Sequence, residues 1–361
     1  MSYRKLIRQV QSGIDILRHP DQVSTMPYYL IIGATTACPL NCIMCSRDAI
    51  INKINRMRFV EYKRLIDMVQ PLRVYIGDLG ESLIDPELDR KIRYAKERGA
   101  NISVVTSYIV SKFVPQVIVK TGLDLLNVSI DGATAEIHDA IRGQSCFEVS
   151  LANMQELIEV RRRLGSQTPL VYLQFVIQKR NYKEIVDYVQ LGATLGVDAI
   201  VYGPLQLDMA LERHTELVGD MTVEEVCSLL EEAGRLANTL GIQTNAHLLT
   251  RKRLRPHWAI YNEAKSTPRD LKRCTFPWYS TYIAADGGVY GCCYHRFHDA
   301  EVLGNIHESD FTSIWNGPAY QDFRSKMRDG HSPFQACYSC YPLSLSDKLQ
   351  DLFTNLLAGV C

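Results

Sequence analysis

The sequence predicts an α/β fold: a partial, TIM-like (β/α)6 barrel followed by a small cysteine-rich domain. Three observations carry this. Short apolar strands alternate with helix-length amphipathic segments from Tyr28 to about Leu207, and that alternation implies a parallel sheet with right-handed crossovers. Six such units in roughly 180 residues are too few for the eight-stranded barrel of about 250 residues, so an open barrel fits better. From Cys274 onward the texture changes to turns rich in Gly, Tyr and Cys.

Taken in order, residues 1–27 read as an N-terminal helix and linker. Ile7, Val10, Ile14 and Leu17 recur at helical spacing and are expected to form its packing face. Residues 28–220 hold the barrel, with strands expected at 28–33, 73–77, 101–106, 125–131, 170–177 and 198–203. Helix-length segments lie between them at 59–70, 86–98, 149–164 and 182–195. Gly99, Gly165 and Gly196 each follow a periodic run, where a helix C-terminal stop belongs. Pro86 suits a first helical turn after an Asp85 cap. Residues 221–270 read as a connecting helix, 222–240, stopped by Gly241, then an extra strand near 242–247 and a basic linker face at 251–255. Residues 271–343 form the cysteine-rich domain, where 280–285 and 288–293 flank Asp286-Gly287 as a hairpin. Residues 344–361 read as a packing helix, with Leu352, Phe353, Leu356 and Leu357 on one face.

Of the 361 residues, 46% are apolar and 22% charged, with 40 basic side chains balancing 40 acidic ones. That describes an ordinary globular enzyme and gives no reason to expect nucleic acid. No apolar run approaches the 18 or so residues of a membrane span. Arg4, Lys5 and Arg8 are followed by no continuous apolar block, so a secretion signal is not expected and the cytoplasm is. Eleven cysteines are many for such a chain, and three cluster at 38–45 while five fall at 274–340. In a reducing compartment this spacing points to metal rather than disulfides.

The chemistry centres on Cys38-Pro39-Leu40-Asn41-Cys42-Ile43-Met44-Cys45, just after the first strand and so on the rim where α/β folds gather ligands. Three thiolates on a short loop can hold three irons of a [4Fe–4S] cube and leave the fourth open. Structural zinc wants four ligands, and the next His or Cys after Cys45 is His138.

This spacing on the loop after the first barrel strand resembles the radical S-adenosylmethionine (SAM) superfamily. The resemblance implies a [4Fe–4S] cluster on Cys38, Cys42 and Cys45, with SAM bound to the open iron through its amino and carboxylate groups. Gly77-Asp78-Leu79-Gly80-Glu81-Ser82 resembles the family's glycine-rich segment, with Ser82 where proline is usual and Asp78-Leu79 where one glycine more often stands. It implies that Glu81 accepts hydrogen bonds from the SAM ammonium. Ser129 and Arg142, within 128–132 and 138–143, resemble the serine and arginine that engage the SAM carboxylate. Thr106-Ser107 stands where the family often has Thr-Asn.

Cys274, Cys292, Cys337 and Cys340, with Gly287 five residues before Cys292, form a second set. Four thiolates suit zinc as well as an iron–sulfur cluster. The intervening 304–306 and 314–316 resemble the SPASM-type domain behind many radical SAM barrels. Only Cys361 remains for further ligands, which resembles the single-cluster variant called a twitch domain, known from aminocyclitol dehydrogenases. The resemblance thus implies two [4Fe–4S] clusters, SAM, and a reducing partner such as flavodoxin or ferredoxin. Cys293 is expected to be a bystander, His295, Arg296 and His298 a solvated hairpin, and Cys146 and Cys227 buried apolar residues.

The expected reaction starts with a 5′-deoxyadenosyl radical that takes a substrate hydrogen. An auxiliary cluster favours net two-electron oxidation, such as alcohol to ketone on a sugar or aminocyclitol. Ribosomal-peptide modification is the alternative, although the 37 residues before Cys38 read as helix plus linker rather than a peptide-recognition domain. An epimerase would need a cysteine hydrogen donor, for which Cys146 is the barrel candidate. A non-catalytic iron–sulfur electron carrier is the reading outside enzymes. Asp208, Glu212, Arg213 and His214 are polar candidates for the substrate pocket.

Overall fold

A computed structural model describes residues 3–205, 214–251, 254, 274–298, 301–331, 333, 334 and 337. Six parallel strands form the barrel wall: β1 (Tyr29–Ile32), β2 (Arg73–Ile76), β3 (Asn101–Thr106), β4 (Leu125–Ser129), β5 (Leu170–Ile177) and β6 (Ala199–Pro204). Each pairs with the next, Leu30 opposite Val74 and Val128 opposite Leu173 among others. All six lie within two residues of their expected positions. A two-residue strand, β7 (Gln243–Thr244), adds to β6.

The cysteine-rich region is not a detached lobe. β8 (Ser280–Ile283) pairs in parallel with β1, Ile31 opposite Tyr282, and the antiparallel β9 (Gly288–Tyr290) and β10 (Gly304–Asn305) continue the same sheet. The order is therefore β10-β9-β8-β1-β2-β3-β4-β5-β6-β7. Gly287 occupies the left-handed region at φ +85°, as the Asp-Gly turn between β8 and β9 requires.

Strand alternation splits the core into layers. Leu30, Ile32, Val74, Ile76, Ile102, Val104, Leu126 and Val128 are buried in one large cluster with the surrounding helices. The opposite faces form two smaller clusters, Leu125, Tyr172, Ala199 and Val201 in one, and Ile31, Tyr282, Tyr290, Cys293 and Tyr294 in the other. Each fully buried aliphatic side chain contributes about 1.5–3 kcal/mol.

Helices Phe59–Val69, Phe147–Arg163, Ile185–Leu195 and Val223–Leu240 match expectation closely. The last starts with a capping box between Thr222 and Glu225 and stops at Gly241, φ +72°. Two expectations are corrected. Helix Leu88–Glu97 begins two residues after Pro86, with Glu87 before it, so Asp85 is not its cap. Asp85 is instead fully buried and ion-paired with Lys91, whose Nζ also donates to Met57 O. The N-terminal helix Tyr3–Arg18 forms, but Ile7, Val10, Ile14 and Leu17 face out, Leu17 being 73% exposed. Polar groups seat it instead. Arg8 donates to the carbonyls of Met26, Pro27 and Gln70, and Asp15 accepts from Ser24 N and Oγ at 2.8 and 2.9 Å.

Candidate active site

The cysteine loop leaves β1 through Gly33 and is tightened from several sides. Thr35 Oγ1 accepts from Ala37 N at 3.1 Å, and Thr36 exchanges hydrogen bonds with the backbone of Asn55. Arg47 Nη1 donates to Cys38 O at 2.8 Å and Leu40 O at 2.9 Å, which pins the loop's start from just beyond its end. Cys45 N donates to Cys42 O at 3.0 Å and closes a tight turn. Two glycines let neighbouring backbones reach the loop. A Cβ on Gly80 would lie 2.0 Å from Thr35 O, and one on Gly143 2.5 Å from Asn41 O. Ile43 N donates to Ile141 O and Glu81 N to Ala37 O, so the loop is clamped between the glycine-rich segment and helix Ala135–Arg142.

Cys38 and Cys42 are half-buried and Cys45 is exposed, none in a disulfide. Burial pushes the Cys38 thiol up to about 11, against a smaller lowering by the Leu40 backbone. A thiol so placed would lose its proton only together with a bound cation, as soft-metal ligands do.

Arg142 sits behind this loop. Its Nη2 pairs with Asp131 at 2.5 Å, its Nη1 donates to Cys42 Sγ at 3.7 Å, and its Nε is buried without a hydrogen-bond partner. Burial opposes the guanidinium charge, but Asp131 more than restores it and holds the group charged. Ser129 ends β4 in register with Gln174, two residues before Asp131, the ion-pair partner of Arg142. The three thiols and an open Arg142 N–H beside them fit a three-cysteine cluster with an anionic outside ligand.

Glu81, expected to face the SAM ammonium, is bonded within the protein at both oxygens. One oxygen accepts from Leu83 N at 3.0 Å and from the Thr106 hydroxyl; the other accepts from Ser107 N and Oγ at 2.7 and 2.5 Å. These bonds fill the four or so acceptor positions of a carboxylate. Glu81 thus fastens the glycine-rich loop to the end of β3, and a ligand ammonium would have to displace one of those donors. Residue spacing alone could not reveal this, because β2 and β3 become neighbours only in the sheet.

Cys146 is 3% exposed, and its Sγ lies 3.3 Å from His138 Nε2, while His138 Nδ1 accepts from Asp131 N. Burial drives the histidine down to about 3 and the thiol up to about 12, so both are neutral. A hydrogen donor serving a substrate at the barrel mouth would need more access than this.

In the second cysteine set, Cys292 follows β9 and receives His295 N at 3.4 Å. His295 stacks on Phe334 with ring centroids 3.4 Å apart, and Cys337 N donates to Phe334 O. That stack draws the Cys337 segment onto the Cys292 turn. Cys274, Cys292 and Cys337 are all half-buried; Cys340 and Cys361 lie outside the described residues. His295 and Arg296 are buried, which corrects the solvated-hairpin expectation: their rings and charge pack under β8 and β9 rather than face water. Cys293 is buried beside Tyr282 and Tyr290. The pocket candidates Asp208, Glu212 and Arg213 lie outside the described residues, as does the His214 side chain, and so does the helix expected at 344–361.

Residues 32–192 match the model of the radical SAM superfamily, and 274–341 match that of an iron–sulfur cluster-binding domain, SPASM. The chain is 22% identical to a tungsten-containing aldehyde ferredoxin oxidoreductase cofactor-modifying protein of Pyrococcus furiosus, over 88% of each chain. It is 26% identical to an AdoMet-dependent heme synthase of Methanosarcina barkeri, over 88% of this chain and 89% of that one. It is 23% identical to the mycofactocin maturase MftC of Mycobacterium tuberculosis, over 93% and 78% respectively. Among solved structures, Streptococcus suis SuiB bound to its precursor peptide superposes with TM-score 0.65 at 14% identity, covering 94% of this chain and 76% of that one. No helix of the described residues is long and apolar enough to cross a membrane.

Proposed function

Because the chain belongs to the radical SAM superfamily and carries a C-terminal SPASM-type iron–sulfur domain, we propose that it oxidises a hydroxyl-bearing small molecule, of sugar or aminocyclitol type, by two electrons. Bound cluster and SAM together supply a 5′-deoxyadenosyl radical able to take hydrogen from an unactivated carbon. In this reading Cys38, Cys42 and Cys45 hold the radical-forming cluster, and Ser129 and the open N–H of Arg142 orient the SAM carboxylate. Glu81 keeps the glycine-rich loop in place against the cysteine loop. Cys274, Cys292, Cys337 and Cys340 hold one auxiliary cluster.

The observation that carries the oxidation reading is the pairing of β8 with β1. It joins the segment that carries Cys274 and Cys292 to the barrel sheet beside β1, which supports a role for that set as an electron sink. A reductant of flavodoxin or ferredoxin type would prime the first cluster. The test is anaerobic incubation of reconstituted enzyme with SAM, dithionite and a panel of sugars and aminocyclitols. One ketone and one 5′-deoxyadenosine per SAM consumed support the reading; 5′-deoxyadenosine without any oxidised product across the panel counts against it.

A second reading, modification of a ribosomal peptide, draws on the likeness to MftC over 93% of this chain. Transfer of deuterium, or a mass change, in a peptide encoded beside the enzyme would favour it over the first.

A further inference from the structure

Arg142 is placed by an acid that the reading above leaves unused. Asp131, two residues past β4, is fully buried and fastened along its whole length. Its N donates to His138 Nδ1 at 3.0 Å, its O accepts from Asn181 Nδ2 at 3.0 Å, and its Oδ1 accepts from Val176 N at 2.8 Å. Asn181 is buried too, and donates also to Val176 O. Only Oδ2 remains, and Arg142 Nη2 lies 2.5 Å from it.

Another carboxylate in the same sheet shows what a purely structural version of this strap looks like. Asp198, just before β6, accepts from Val171 N at 2.7 Å and pairs with Arg161. Both acids therefore tie β5 to a neighbouring strand, but at opposite ends of it. Val171 and Val176 are separated by about 16 Å at about 3.3 Å per residue. Arg161 commits both terminal nitrogens to Asp198, and one of them also to Pro169 O. That two-pronged grip is the usual one for a guanidinium on a carboxylate. Arg142 does otherwise. It turns one nitrogen to Asp131, donates another to Cys42 Sγ at 3.7 Å, and keeps a buried Nε–H with no hydrogen-bond partner. An unmade buried donor is costly unless a ligand answers it. A guanidinium held by a fixed carboxylate has also lost its rotamer freedom beforehand, so a ligand does not have to offset that loss.

We propose that Asp131 is a positioning residue for SAM, holding Arg142 in the pose that keeps its Nε–H free for the SAM carboxylate. This role rests on the reading of Arg142 as a SAM-binding residue. Asp131 itself touches neither SAM nor substrate, and its effect passes through the guanidinium.

The test is anaerobic equilibrium dialysis of labelled SAM against reconstituted enzyme without reductant, so that binding is read and not cleavage. Asp131→Asn keeps an acceptor for Val176 N but removes the charge that holds Arg142. It is expected to raise the SAM dissociation constant about tenfold or more at wild-type iron content, the scale of one lost hydrogen bond to a charged group. Asp198→Asn is the matched control: it breaks the other strap, lowers the melting temperature and leaves SAM affinity unchanged. Arg142→Gln weakens binding by itself, and adding Asp131→Asn to it weakens binding no further, because residues that act as one unit are not additive. The double variant leaves no unpaired charge in the core, so this comparison stands even where Asp131→Asn alone fails to fold. Unchanged SAM affinity in Asp131→Asn at wild-type iron overturns the proposal. So does equal weakening in Asp198→Asn, or a further loss of about tenfold in the double variant. Unchanged affinity in Arg142→Gln would instead overturn the reading of Arg142, and the role of Asp131 with it.

Discussion

At the scale of single residues, the rim is built from polar side chains whose bonds are already committed. Glu81 accepts from Leu83, Thr106 and Ser107. Glu81→Gln keeps the shape but turns an amide N–H₂ toward donors, so it is expected to cost about 1.5–3 kcal/mol. The check is the apparent melting temperature without SAM, which would not move if Glu81 served SAM alone. His138 offers a pH test. Its native pKa is depressed to about 3 by burial, against about 6.5 in an unfolded chain. Between those values the unfolded state binds the extra proton, so stability falls as pH drops, by at most about 1.4 kcal/mol per pH unit. Replacing His138 by Gln should flatten the change in melting temperature between pH 6.5 and 5.5, and an unaltered slope would contradict the assignment.

At the scale of elements, two helices show that hydrophobic period and polar anchoring are separate signals. The N-terminal helix has a regular apolar stripe, yet Arg8 and Asp15 decide which side faces the protein. Val10→Ser and Leu17→Ser are therefore expected to change stability by no more than about 0.5 kcal/mol, as exposed sites do. Asp15→Ala, which strips Ser24 N of its acceptor, should cost about 1–3 kcal/mol. Denaturant melts of the three variants would rank them. Helix Leu88–Glu97 is fixed from inside by Lys91, whose buried ammonium reaches Asp85 and Met57 O. Asp85→Asn leaves that ammonium without its countercharge and is expected to cost about 3–5 kcal/mol. The same melts, read beside Lys91→Met, show the asymmetry: the isosteric apolar replacement leaves Asp85 orphaned but partly served by Glu87 N, so it should hurt less.

At the scale of the whole molecule, what the sequence made legible was local. Strand and helix positions followed from residue period and from glycine stops, and the three-cysteine loop from its spacing, because each is written within about a dozen neighbouring residues. The pairing of β8 with β1 was not legible, since Tyr282 and Ile31 are far apart in the chain and neither strand's pattern names its neighbour. The partners of Glu81 and the burial of Arg296 were hidden for the same reason. That long-range pairing carries a consequence. With β8 in place, β1 is flanked on both sides, by β2 and by β8. Trp278 Nε1 donates to Pro20 O, Arg324 to Asp21 O, and the Asn316 side chain to Val23 O, binding the C-terminal region to the approach to β1. A chain ended at residue 273 would strip β1 of one partner and bare its apolar edge, a template for aggregation. It would also loosen the strand that delivers Cys38. The expectation is that such a chain, reconstituted anaerobically, is aggregated on size exclusion and holds well under four irons, rather than a soluble barrel that retains one complete cluster. A monodisperse product with about four irons would show that the barrel and the cysteine-rich region fold independently, and that the shared sheet is a docking contact instead of part of one cooperative core.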